Sequence, residues 1–202
     1  MIAYQFIAEL KSVPSTETVN NQYLNPTKVK NFEIYLNYMI QNRPKHILIG
    51  EAPGYRGCAL SGIPFTDEYR LTPNGSVGCL PLTQSGYRIL SQKPHREGSA
   101  TVIWESFSEK AYFPMLWNIF PFHPHKQYNL NSNRTPTSEE VARYNYFVND
   151  LLRLLPSIQE VFAVGRTSEK MLNEMGIRVT YIRHPANGGS KACRTKILSL
   201  TL

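Results

Sequence analysis

Cysteine is scarce in this 202-residue chain, and what there is suits none of its usual structural uses. Cys58, Cys79 and Cys193 are an odd number, widely spaced, with no C-x-x-C pair. A disulfide framework, a zinc finger and a four-cysteine iron–sulfur cluster are therefore not expected, and the thiols should stay reduced inside a cell. Long apolar runs are also missing. Nothing approaches the ~20 residues of a membrane span. The start, Met-Ile-Ala-Tyr-Gln-Phe-Ile-Ala-Glu-Leu-Lys, lacks the basic-then-apolar order of a secretory signal. The expected location is cytoplasmic, on the nucleoid if the source is bacterial, with no membrane partner. Internal repeats and low-complexity tracts are absent. Acidic residues are missing from one region: from Ile177 onward the chain carries Arg178, Arg183, Lys191, Arg194 and Lys196 but no Asp or Glu. Overall, 22 Lys and Arg face 15 Asp and Glu, a net charge of +7. Charge this one-sided favours nucleic acid over a merely solvated face.

The length fits one domain, residues 1–202, with a single core. Its organising stretch is His46-Ile-Leu-Ile-Gly-Glu-Ala-Pro-Gly-Tyr-Arg-Gly57. A short apolar run stops at Gly50, and Pro53 and Gly54 follow, as in a buried strand entering a tight loop. Before it, residues 2–11 suggest a short helix, 12–26 a polar loop, and Asn25-Pro26-Thr27 opens a helix closed by Asn42-Arg43-Pro44. After it, 56–81 is a long aperiodic stretch, which in a compact domain is functional or disordered. Helices are expected over 83–92 and 99–109, with Leu90, Val102, Ile103 and Phe107 buried. Strands are expected over 114–121, 160–165 and 178–183. The capping-box signature Thr137-Ser-Glu-Glu140 starts a helix running to Leu155. A short helix covers 167–175, and Ser190 caps a last helix to about Leu200. The strands are apolar throughout, so the fold expected is an α/β three-layer sandwich with a central four-stranded, mainly parallel sheet.

Glu51, Asn118 and His184 each fall at or near the carboxyl end of an expected strand. A parallel sheet brings such ends to one edge, where ligands bind. Each has a bland alternative: a helix cap, a backbone partner, a satisfied structural histidine. Their coincidence on one edge favours a pocket. On pattern alone, Phe65 in Ser-Gly-Ile-Pro-Phe-Thr reads as an anchor pinning the long loop to the core. His123 and His125 would share a strand face as metal ligands can, but Pro124 intervenes and no third ligand is evident, so no metal site is expected.

Those residues also carry a resemblance. Gly50-Glu51-Ala52-Pro53-Gly54 resembles the first motif of uracil-DNA glycosylases, most closely the bacterial and archaeal branch reading GEAPG. Gly62-Ile-Pro-Phe65 is similar to that branch's G-x-P-F segment, and Asn118 to the asparagine ending the family's central strand. Asn133-Arg-Thr-Pro136 with Glu139 and Glu140 resembles its N-R-x-P…E segment, and His184-Pro185 its last motif. The five matches run in the family's order from residue 46 to about 195. The resemblance implies base flipping into a pocket, with Phe65 stacked on the base and Ala52 and Gly54 beside it. Asn118 would read uracil's N3–H and O4. His184 would donate to O2 as charge develops there, and Glu51 would position or activate water. Hydrolysis of this bond calls for neither metal nor redox chemistry, so no cofactor is expected. Arg56, Arg183, Asn187, Gly188, Ser190, Lys191 and Arg194 would contact DNA, with Gly188 and Gly189 letting backbone approach a phosphate.

The departures from the family pattern are informative. Gly54 falls where the best-known branch has a tyrosine that blocks thymine's methyl, and Ala52 where it has an aspartate. The iron–sulfur cysteines of the GEAPG branch are missing. After His184-Pro185 the chain lacks the bulky apolar residue with which some members wedge DNA apart. Single-stranded or mismatched DNA is thus the expected substrate of a monomer, because flipping costs less there. Two rivals stay open: a member that binds nucleic acid or a free base without cleaving, for which Glu51 would be dispensable, and a hydrolase of free nucleosides or nucleotides, for which the basic residues would be.

Overall fold

A computed structural model describes residues 2–108 and 112–200. Helix α1 (Ala3–Ser12) is followed by a two-residue strand β1 (Val19–Asn20) and a 3-10 turn at Gln22–Leu24, inside the stretch expected to be loop. Helix α2 (Pro26–Asn42) starts as its sequence dictates. The Asn25 side chain accepts from Thr27 N and Lys28 N, Pro26 takes the first turn, and Arg43 ends the helix in the left-handed region at φ +48°. Strand β2 (His46–Gly50) follows, then a one-turn helix α3 (Cys58–Ser61), 3-10 turns at Tyr69–Leu71 and Leu80–Thr83, and α4 (Gly98–Phe107). Strands β3 (Met115–Asn118) and β4 (His123–Pro124) precede α5 (Ser138–Tyr144) and α6 (Tyr146–Leu154). The chain ends in β5 (Glu160–Val164), α7 (Arg166–Glu174), β6 (Thr180–Ile182) and α8 (Ser190–Leu198).

The central sheet has the order β3-β2-β5-β6, and every pairing in it is parallel. The first strand is central, and the chain leaves it to β3 on one side and returns to β5 on the other. That reversal makes a crevice at the carboxyl ends of the strands. The β2 and β3 residues are buried throughout, as expected for strands covered on both faces. The β5–β6 side is wetter: the interior strand β5 opens with an exposed Glu160, and the edge strand β6 is trimmed from the expected 178–183 to Thr180–Ile182. Phe6 of α1 meets Trp117 of β3, Phe32 of α2 and Phe147 of α6, which builds one apolar layer. Helices α4 and α8 pack together as another, with α8 also against β6.

Several expectations are corrected. Residues 84–92 are not helical, and Leu90 is 51% exposed. Their backbone groups are taken by side chains from elsewhere: Glu68 accepts from Leu90 N and Ser91 N, and Asn31 bonds both N and O of Arg88. A segment whose amides are satisfied in this way has no need of a helix. Val102 is half-buried, while Ile103 and Phe107 are fully buried. The expected end of that helix at Glu109 lies outside the described residues. The strand expected over 114–121 stops at Asn118. The helix from Thr137 has its capping box but breaks at Asn145, where Val148 N bonds back three residues to Asn145 O. Ser190 does not cap α8. It is the first helical residue, and its hydroxyl donates to Pro185 O.

Candidate active site

The sheet brings the three polar residues together as its topology requires. Gly50 sits opposite Asn118 in the β2–β3 register, so Glu51 leaves the sheet beside that amide. Ile119 N and Phe120 N donate to Gly50 O and Glu51 O at 2.9 and 3.0 Å, extending the pairing past the strand end and fixing the loop's departure. His184 follows two residues after β6.

Phe65 closes one side. Its backbone is at φ +53°, a conformation aromatic residues seldom adopt. Trp104 Nε1 holds it there by donating to Phe65 O (3.1 Å) and Thr66 Oγ1 (3.0 Å), and Ser61 donates to Thr66 O (2.6 Å). Such backbone strain costs about 1–3 kcal/mol and persists where the surroundings over-determine it. The ring lies flush on Gly50, where a β-carbon would overlap Phe65 Cζ and stand 2.9 Å from Asn118 Oδ1. Phe65 is buried, as expected of an anchor, and its ring also lines the cavity.

A cavity of about 60 Å³ is lined by Glu51, Ala52, Pro53, Gly54, Cys58, Phe65, Glu97, Ser99, Asn118 and His184. Asn118 is 4% exposed, yet its amide has no hydrogen-bond partner among the described residues. An amide left open in a cavity is placed to bond something that enters it. An outer cavity of about 550 Å³ shares Glu51, Ala52, Pro53, Gly54, Glu97 and His184 and adds Asn133, Arg166, Thr167, Arg183 and Asn187.

His184 is oriented by its own loop. Ala186 N donates to its Nδ1 at 3.1 Å, so in the neutral ring Nε2 carries the proton. Burial pushes its pKa down; the Glu51 carboxylate opposes that, and Arg183 adds to it. Gly165 makes room, since a β-carbon there would already touch His184 Cβ at 3.4 Å. The site thus offers a neutral donor, a nearby carboxylate, an unpaired amide and an aromatic wall.

Sequence reasoning missed Glu97. Its backbone N donates to Asp67 Oδ2 at 2.7 Å, and Asp67 Oδ1 accepts from Arg70 N, so the residue two beyond Phe65 fixes the far end of the long loop. The Glu97 carboxyl packs on the bare backbone of Gly54 and Gly57; a β-carbon on Gly54 would stand 2.9 Å from Oε1. Burial, with Asp67 adding to it, pushes its pKa up to about 7. No local pattern marks Glu97 because the contact spans the loop. The Asn-Arg-Thr-Pro segment is structural in part. Asn133 Oδ1 accepts from Tyr55 N, and Arg134 binds Glu140 through both Nη atoms at 2.7 and 2.6 Å.

The basic residues do not converge equally. Arg183 and Asn187 line the outer cavity, with Arg183 Nη2 donating to Asn187 O. Arg56, Gly188, Ser190 and Lys191 are exposed but line neither cavity. Arg194 is engaged by Glu105 of α4 at 2.8 Å. His123 and His125 share a face, 5.6 Å apart, and are used by the backbone: His123 spans Pro53 O and Leu130 O, and His125 meets Lys126 O. Among the described residues no three His, Cys, Asp or Glu side chains cluster as metal ligands. The buried Cys58, Cys79 and Cys193 are free thiols. Among the described residues no helix is long and apolar enough to cross a membrane.

The profile of the Uracil DNA glycosylase superfamily matches residues 38–198. No curated protein sequence matches the chain. Among solved structures, wild-type SMUG2 of Pedobacter heparinus superposes with a TM-score of 0.66 at 17% identity, over 98% of this chain and 95% of that one, a likeness that speaks for the fold.

Proposed function

The chain belongs to the uracil-DNA glycosylase superfamily, and from that premise we propose that it hydrolyses the N-glycosidic bond of uracil or another deaminated base in DNA. One observation carries the reading: an amide open to the cavity, an aromatic wall, a carboxylate and a neutral imidazole line one cavity at the carboxyl edge of a parallel sheet.

The roles follow from what each group can exchange. A base extruded from the helix stacks on Phe65. The Asn118 amide accepts from N3–H and donates to O4, whereas cytosine would offer it an acceptor and a donor in the wrong order. As the C1′–N bond breaks, its electron pair moves into the base, and His184 Nε2–H stabilises the charge at O2. Removing one such donor from an oxyanion site costs about 3–4 kcal/mol. Glu51 orients water towards C1′, takes its proton and offsets the positive charge on the sugar. Ala52 and Gly54 supply bare wall, and the bond is broken without metal or redox chemistry. Arg183, Asn187 and the backbone at Gly188 hold the flanking phosphates, with Arg56, Ser190 and Lys191 at the periphery. Arg194, held by Glu105, contributes least. With no bulky wedge after His184-Pro185, single-stranded or mismatched DNA is the better substrate and the protein acts as a monomer.

The test is abasic-site formation on labelled oligonucleotides, single-stranded and duplex, each carrying one uracil or hypoxanthine. Cleavage after alkali at the lesion, faster in single strands, is the expected result. No cleavage together with salt-sensitive binding would mean a member that binds without cutting.

A further inference from the structure

We propose that Tyr128 is a stacking platform for an unpaired DNA base beside the excised one, so that the 126–133 loop takes hold of a single strand; this rests on the glycosylase reading above and adds a contact surface to it.

The observation behind it is an aromatic ring that no structural role explains. Tyr128 is 84% exposed, and its backbone stands at φ +59°. Asn129 N donates to Lys126 O at 2.9 Å and closes a turn with Tyr128 at its third position. A positive φ at that position suits glycine or asparagine. Tyrosine takes the strain there without burying its ring. The surroundings enforce it: Asn131 N donates to Asn129 Oδ1 (3.1 Å), Ser132 Oγ to Asn129 O (2.6 Å) and Lys126 N to Ser132 Oγ (2.9 Å). Strain imposed in this way on an exposed ring points to use.

The loop is fastened to the site. The His123 ring lies between Pro53 O (2.8 Å) and Leu130 O (3.1 Å), so one imidazole separates the loop from a residue that lines both cavities. At the loop's other end Tyr55 N donates to Asn133 Oδ1 at 2.9 Å, and Asn133 lines the outer cavity with Glu51, Arg183 and His184. A strand whose nucleotide enters the cavity meets this loop at the rim.

The surface has the chemistry of a single-strand contact. Leu130, 57% exposed, keeps the ground near the ring apolar. From Tyr112 to Ser138 the sequence holds no Asp or Glu. Lys126 and Arg56 are exposed, with no ion pair among the described residues. Two acids reach the segment, and both are engaged: Glu17 by Gln127 Nε2 at 2.7 Å, and Glu140 by both Nη atoms of Arg134. Exposed aromatics among cations hold single strands by stacking, which the face of every base allows. A duplex keeps its bases stacked on one another and offers the ring no face. The loop after His184-Pro185 has no such ring.

The experiment measures affinity for single-stranded oligonucleotides carrying uracil on an uncleavable 2′-fluoroarabino sugar, with wild type, Tyr128→Asn and Tyr128→Phe. Asparagine tolerates the positive φ, so Tyr128→Asn removes the ring and keeps the turn. It should melt no lower than wild type and bind about 5–100-fold more weakly, the scale of one stacked base. The slope of log K against log salt should not change, because no phosphate contact is lost. Tyr128→Phe should bind as wild type does. An abasic linker is then placed at each position flanking the uracil in turn. Wild type should lose the same factor at one of them, and Tyr128→Asn should lose nothing there. Equal affinity of wild type and Tyr128→Asn, a lower Tm for Tyr128→Asn, or equal losses by both proteins at every linker position overturns the proposal. Base release by wild type from ordinary uracil oligonucleotides decides the glycosylase reading separately. Excision without the Tyr128 coupling removes this proposal and leaves that reading standing; coupling without excision does the reverse.

Discussion

The Phe65 ring rests directly on the backbone of Gly50, so that the cavity wall and the end of the central strand are one packed unit. Adding a methyl at Gly50 would drive the ring, or Asn118 Oδ1, out of place. Gly50→Ala should cost about 1–3 kcal/mol of stability, as overpacking does, and depress base excision far more than the lost folded fraction explains. Thermal denaturation beside single-turnover rates at a temperature where both proteins are folded tests this. A stable, fully active Gly50→Ala would mean that the ring is not seated where activity needs it.

Asn118 should govern which pyrimidine is accepted. An ionised Asp at 118 can only accept hydrogen bonds, which suits cytosine N4–H2 and repels uracil O4. Asn118→Asp is therefore expected to lose uracil excision and either to gain weak cytosine excision or to be inactive. Wild-type uracil cleavage by this variant would remove Asn118 from the base pocket.

In the proposed mechanism His184 acts as a neutral donor, and burial favours its neutral form. Burial lowers its pKa from the ordinary 6.5 despite Glu51, so the working form persists at pH 6.5 and fails only on further acidification. The pH–rate profile for uracil should therefore hold its acid side below pH 6.5. His184→Ala should slow single-turnover bond breaking by about 10²–10³-fold and abolish that acid limb. An unaltered single-turnover rate contradicts the assigned role.

The Glu97 carboxyl has a consequence for folding that is independent of catalysis. Its pKa is about 7 folded against 4.5 in the free side chain, so the folded protein holds a proton that the unfolded chain releases between those values. Stability from this group is present below about pH 4.5 and is lost as pH rises through about 7. Glu97→Gln should thus raise Tm relative to wild type at pH 8 and not at pH 5. A Tm difference that is the same at both pH values would show that the carboxyl is not held protonated.

Much of this was legible in the residues. The strand at His46–Gly50, the capping box at Thr137–Glu140 and the parallel sheet follow from local apolar runs and caps, which act within a few residues. Glu51, Asn118 and His184 were readable as one site because strand ends in a parallel sheet share an edge. What could not be read depends on contacts between distant segments. Residues 84–92 have helical spacing but lose the helix to Glu68 and Asn31, 22 and 57 residues away in sequence. Glu97 enters the pocket through Asp67, 30 residues earlier. Arg194 belongs to a basic tract, yet folding gives it to Glu105.

The most direct test of the central claim compares turnover with binding for Glu51→Gln. The amide keeps the shape and removes the base that takes water's proton. The account predicts that Glu51→Gln binds lesion-bearing single-stranded DNA with near wild-type affinity while its excision rate falls by at least about 10²-fold, the lower range for loss of a general base. Equal losses of binding and excision, or undiminished excision, would contradict it.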